Sequence, residues 1–120
     1  MAQSYVVAWV DGEPVGHAHI AWTGTELGVP EIQDVFVAEP RRRQGIARAL
    51  TTACEELARS RGHDRISLAH GIHDEAARTL YDGAGFVDAG RAPVRVKGTI
   101  MVREKPLEVD DTLVYLVKPL

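Results

Sequence analysis

A single cysteine, Cys54, leaves no partner for a disulfide within the chain, which fits a reducing compartment. No apolar run approaches the ~20 residues of a membrane-spanning helix. No stretch near the start has the basic, apolar and small-residue order of a secretory leader. Aromatic residues make up only 6%, so a stacking platform for nucleic acid has few side chains to draw on. An excess of basic charge is missing too. Fourteen Lys and Arg against 17 Asp and Glu give a net charge of -3, whereas a nucleic-acid binder usually shows a basic face or balance. The expectation is a cytoplasmic globular protein with no membrane or nucleic-acid partner. Its 120 residues, 45% apolar and 26% charged, suit one domain, residues 1–120, around one modest core.

What is present falls into short segments. Tyr5 to Val10 is apolar and β-prone, Asp11-Gly12-Glu13-Pro14 reads as a turn, and Val15 to Thr23 alternates, which predicts a β-hairpin. After a loop from Gly24 to Pro30, Glu31 to Val37 is again strand, stopped by Pro40. From Gly45 the period changes. Ile46, Leu50, Ala53, Cys54, Leu57 and Ala58 recur at helical spacing until Gly62. Arg65 to His70 reads as a strand. Asp74 is the N-cap of a second helix with Ala77, Leu80, Tyr81 and Ala84 as its inner stripe. Phe86 to Ala89 leaves that helix extended. Val94 to Val102 and Thr112 to Lys118 are strands, with Arg103 to Asp111 a charged, turn-like connection. The order β-β-β-α-β-α-β-β predicts a mixed-sheet α+β sandwich, without the regular alternation of a doubly wound fold.

Arg41-Arg42-Arg43-Gln44-Gly45-Ile46-Ala47 joins a strand to a helix. A helix start has backbone N–H groups without partners and a partial positive charge, so it attracts anions. Gly45 lets a ligand approach the backbone closely, Ala47 keeps the next position small, and Arg42 and Arg43 can fork onto phosphate oxygens. On these residues alone the stretch is either a diphosphate cradle or a solvated basic turn.

The run from Val35 to Ala47 resembles the acetyl-CoA signature of the GNAT N-acetyltransferase superfamily, with Arg42, Gly45 and Ala47 on its three motif positions. Asp74 to Phe86 is similar to a second family block, Asn-x-x-Ala-x-x-Leu-Tyr-x-x-x-Gly-Phe, and Leu116 to Leu120 resembles the closing strand. The resemblance implies the GNAT acyl-CoA N-acyltransferase fold and acetyl-CoA as acyl donor, with no metal. It implies that the strand Val35-Phe36-Val37 splays from Arg65–His70, with the pantetheine arm in the gap. The pyrophosphate would then lie on the turn Arg42-Arg43-Gln44-Gly45-Ile46-Ala47. Arg41 and Arg48 either reach the other phosphate or face water. Tyr81 matches a tyrosine that protonates the leaving thiolate, a task suited to a phenol of pKa ~10; a core tyrosine is the other reading. Asp74 stands where the family often has Asn. It can cap the helix, but when ionised it cannot donate to the cofactor.

Direct transfer to an amine needs a base. Asp34 and His70 are the first candidates. Glu31, on the same strand face as Gln33, and His17, His19 and His73 are also placed to be considered. Cys54 lies on an apolar helix stripe and reads as an inert thiol. Relatives usually begin with a strand and helices that form much of the acceptor pocket, while this chain starts almost at the hairpin. That shortened front is expected to leave the acceptor site open or to a second chain. With Trp9, Trp22 and an unpaired edge it predicts a homodimer. The expected activity is acetyl transfer to an amine of a small molecule or protein. A silent acyl-CoA-binding module and nucleic-acid binding through Arg41–Arg43 are the competing readings.

Overall fold

The computed structural model describes residues 3–102 and 104–120. Strands β1 (Gln3–Val10) and β2 (Glu13–Ala21) make the expected hairpin. Its turn puts both Asp11 and Gly12 at positive φ, the geometry that favours an Asp-Gly pair between twisted strands. Strand β3 (Glu31–Val37), helix α1 (Ile46–Ser60), strand β4 (Arg65–Gly71), helix α2 (Glu75–Gly83) and strands β5 (Val87–Asp88), β6 (Val94–Val102) and β7 (Lys105–Pro119) follow. The sheet runs β1-β2-β3-β4-β7-β5, with β6 also paired to β7. All neighbours are antiparallel except β3 and β4.

The core forms where the apolar stripes of the helices meet one sheet face. Ile46, Leu50, Cys54 and Ala58 from α1 and Tyr81 and Ala84 around α2 join Ala18, Ile20, Ile32, Ile66, Leu68 and Leu116. Each such large side chain contributes about 1.5–3 kcal/mol of burial. At the edge of this core Glu55, nearly buried, meets Lys118 at 2.6 Å and ties α1 to β7.

Two features of β3 open the structure. Between the pairs His17↔Phe36 and His19↔Gln33, β3 holds one residue more than β2. The extra length is a bulge, and Asp34 within it has φ 53°. A bulge bends its strand and increases local twist. Beyond it β3 and β4 no longer pair: among the described residues their register partners are Glu31↔Ser67 and Ile32↔Leu68. The gap that results lies within the sheet, between its two central strands.

Two expectations need correction. The segment from Arg103 to Asp111 is not a long connection. β7 starts at Lys105 and pairs with β6 from Val102↔Lys105 to Val94↔Leu113, and Arg103 itself lies outside the described residues. Glu104, Lys105, Glu108, Asp110 and Asp111 are exposed there, so polarity here marks an exposed strand rather than a loop. Trp22 is not free for association. It is 7% exposed, stacks on His63, lies under Arg61 and donates to Ser4. Trp9, by contrast, is 64% exposed.

Candidate active site

Gly45 caps α1 in the left-handed region, φ 80°, with no side-chain cap. The first backbone bond at this end runs from Ala49 N–H to the Gly45 carbonyl. The amides of Ile46, Ala47 and Arg48 are therefore left without intrahelical acceptors. A Cβ built on Gly45 would meet nothing within 4 Å, so the space before these amides is open. Arg42 does not float: its Nε donates to the Val37 carbonyl at 3.1 Å and anchors the turn to the end of β3.

This helix start faces a cavity of about 570 Å³. Val35, Phe36 and Val37 form one side, and Ala76, Ala77, Leu80 and Tyr81 of α2 another. Arg41, Arg42, Arg43, Gly45, Ile46, Ala47 and Arg48 make the basic end, and Asp74 also borders it. Of the residues expected to hold the acyl donor, Gln44 alone is not on this lining; its side chain is exposed. Asp74 is engaged as a cap, accepting from Ala77 N–H at 3.1 Å.

A second cavity, about 370 Å³, occupies the gap between β3 and β4. Tyr81 borders both cavities. Its ring is 8% exposed and edge-on to Phe86. Burial, and then the Asp74 carboxylate, push its phenol above the ordinary value of 10.0, so it holds its proton at neutral pH.

His70 enters the second cavity from β4, 6% exposed. Its Nδ1 is 2.8 Å from the Gly71 carbonyl. A carbonyl only accepts, so Nδ1 carries the hydrogen and the neutral ring has its lone pair on Nε2. That Nε2 is buried and has no partner among the described residues. Asp34 borders the same cavity but is largely exposed and lies 3.3 Å from His19 Nδ1. From His19 a chain continues inward: Nε2 contacts Gln33 Oε1 at 2.9 Å, and Gln33 Nε2 donates to Glu31 Oε2 at 2.6 Å. The other oxygen, Glu31 Oε1, is buried without a partner.

The remaining candidates lie elsewhere. His17 stacks on Phe36 on the outer sheet face, and His73 is exposed before α2. Cys54 is fully buried, its thiol pushed up to about 12 by burial and then by Glu55. Tyr115, which the sequence reading missed, borders the second cavity. The alternation of Leu113 and Tyr115 in the last strand was the signal for it.

This arrangement has a basic, amide-lined end for a phosphate, a channel beside a strand, a protonated phenol and then a bare imidazole. A model of the Acetyltransferase (GNAT) family matches residues 1–86.

The chain belongs to the GNAT acetyltransferase family.

Its curated relatives include an IAA acetyltransferase of Azospirillum brasilense, 33% identical over 104 residues, covering 86% of this chain and 67% of that protein. N-acetyltransferase 8 of Mus musculus is 32% identical over 96 residues, 78% of this chain but only 39% of its own length. Among solved structures, a GNAT family acetyltransferase of Elizabethkingia anophelis with acetyl-CoA bound superposes with a TM-score of 0.77 at 18% identity. The match covers 99% of this chain and 77% of that one. The mixed seven-stranded sheet with two helices is the GNAT fold.

Proposed function

We propose that this GNAT domain moves an acetyl group from acetyl-CoA directly to a primary amine. The observation that carries the reading is the position of Tyr81 between the two cavities. One cavity has the free amides of α1 and four arginines at its end. The other has the unpartnered Nε2 of His70. The acyl donor lies in the first, its diphosphate at Gly45 to Ala47 and its thioester near Tyr81. The amine enters the second.

The chemistry follows from the protonation states. The amine nitrogen attacks the thioester carbonyl carbon, and its proton passes to His70 Nε2, directly or through water. The C–S bond breaks, and Tyr81 gives its hydroxyl proton to the departing thiolate. His70 serves better than Asp34 because its Nε2 is buried and without a partner, whereas Asp34 is exposed and turned to His19. The account includes a homodimer, supported by the exposed Tyr5, Val7, Trp9 and Phe36 and tested by light scattering. The transferase reading is tested by following CoA thiol release with acetyl-CoA and a panel of primary amines. Release that depends on the amine supports it. Tight acetyl-CoA binding without release would make the domain a silent binding module.

A further inference from the structure

His19, on β2, touches two consecutive residues of β3. Its Nε2 is 2.9 Å from Gln33 Oε1, and its Nδ1 is 3.3 Å from Asp34 Oδ2. In a regular strand consecutive side chains leave on opposite faces, so one ring could not meet both. It meets both here because the backbone of Asp34, at φ 53°, turns that side chain onto the face of Gln33. The ring itself is held. It is 7% exposed and tilted against Tyr5 with centroids 5.2 Å apart, and Gln33 is tied in turn to Glu31.

The turn at Asp34 shifts the phase of the strand that follows. Ile32 and Val35 are three residues apart, yet both pack against the core, and Val37 does so after them. Phe36 is left on the outer face, 48% exposed and stacked on His17. A strand that kept strict alternation from Ile32 would send Asp34 and Phe36 inward and Val35 and Val37 outward. That would aim a carboxylate at the core and change the side of β3 that borders the first cavity.

Resting on the reading of the first cavity as the acyl-donor site, we propose that His19 is a positioning residue: it pins Asp34 in the bulge and so sets which face of β3 the acyl donor meets. His19 lines neither cavity, so it acts through Asp34. A residue with a Cβ resists the left-handed region, although Asp resists it less than most. An exposed ion pair contributes little by itself. Here one partner is buried, and the contact has only to tip the balance between two phases of one strand.

The test uses glycine, which takes a positive φ without help. His19→Phe keeps a ring against Tyr5 and removes both nitrogens. Calorimetry should show acetyl-CoA binding weakened ~5-fold or more. Adding Asp34→Gly should bring it back to within ~2-fold of Asp34→Gly alone, a repair that lost packing at His19 would not allow. A His19→Phe variant with native affinity, or one that Asp34→Gly does not restore, would overturn the proposal. If His19→Phe does not fold, Asp34→Ala and Asp34→Gly decide with His19 intact. Ala should bind ~5-fold or more weaker than Gly, and equal affinities would overturn it. If the native protein does not bind acetyl-CoA, the donor-site reading fails separately, and NMR reports the phase of β3 directly. Nuclear Overhauser contacts between the His17 and Phe36 rings should be lost in His19→Phe and regained with Asp34→Gly. Contacts that persist in His19→Phe would overturn the proposal.

Discussion

His70 donates its Nδ1 hydrogen to the Gly71 carbonyl at 2.8 Å, and this one bond fixes which ring nitrogen carries the hydrogen. With Nδ1 occupied, the lone pair of the uncharged ring is on Nε2, the nitrogen that the proposed mechanism uses as base. His70→Gln keeps a polar side chain but removes that base. Turnover should fall by about 10²-fold or more, while acetyl-CoA binding measured by calorimetry stays within a factor of about two. A variant with near-native kcat would move the base to another group.

In the proposed mechanism Tyr81 acts at the other end of the reaction. Tyr81→Phe keeps the ring against Phe86 and deletes the proton donor. We expect kcat to drop about 10²-fold with acetyl-CoA affinity nearly unchanged. The raised phenol pKa also has a sign. The folded state disfavours the phenolate, so this contribution to stability is full below the unfolded value near 10 and is lost as pH rises through the higher folded value. Removing the hydroxyl should therefore flatten the alkaline decline in thermal stability, which a melting series above pH 9 would show.

The cradle can be tested at Gly45. Its φ of 80° is tolerated better by Asn and Asp than by most residues, so the pair Gly45→Asp and Gly45→Asn separates charge from backbone strain. Gly45→Asp should weaken acetyl-CoA binding at least ~10-fold, about 1.4 kcal/mol, and clearly more than Gly45→Asn. Equal affinities for the two variants in calorimetry would remove the anion from this helix start.

Glu55 and Lys118 supply a stability test away from the chemistry. Lys118→Met leaves the Glu55 carboxylate buried and unpaired, and denaturant unfolding should show a loss of about 3–5 kcal/mol. Adding Glu55→Leu should recover most of it. If the single variant unfolds like the native protein, the contact does not hold α1 to β7.

Much of this was legible in the sequence, and the reasons differ by element. The α1 stripe from Ile46 to Ala58 has a helical period that nothing contradicts, and Asp74 and Gly62 mark helix ends as small capping residues do. Val35 to Val37 and Arg41 to Ala47 line the first cavity, Gln44 apart, because a strand, a glycine turn and a helix must follow one another in sequence. The second cavity was only half visible. It depends on the bulge at Asp34, which one-dimensional alternation does not reveal, and on the tautomer of His70, fixed by the carbonyl of its neighbour. Glu31 was legible as a carboxylate on the face of Gln33, but not its contact with Gln33 or its unpartnered oxygen, because the chain that orients Gln33 runs through His19 on another strand. The β6–β7 hairpin was hidden by its charges, although Leu107 and Val109 alternate with them.

The central claim is that acetyl-CoA and an amine are bound together for direct transfer across Tyr81. Initial rates measured over a grid of acetyl-CoA and amine concentrations, with intact-mass analysis of the protein after acetyl-CoA alone, test it most directly. The account predicts intersecting reciprocal plots, acetylated amine formed in step with free CoA, and no acetyl group on the protein as a reaction intermediate. Parallel plots with a protein-bound acetyl group that an added amine removes would contradict it.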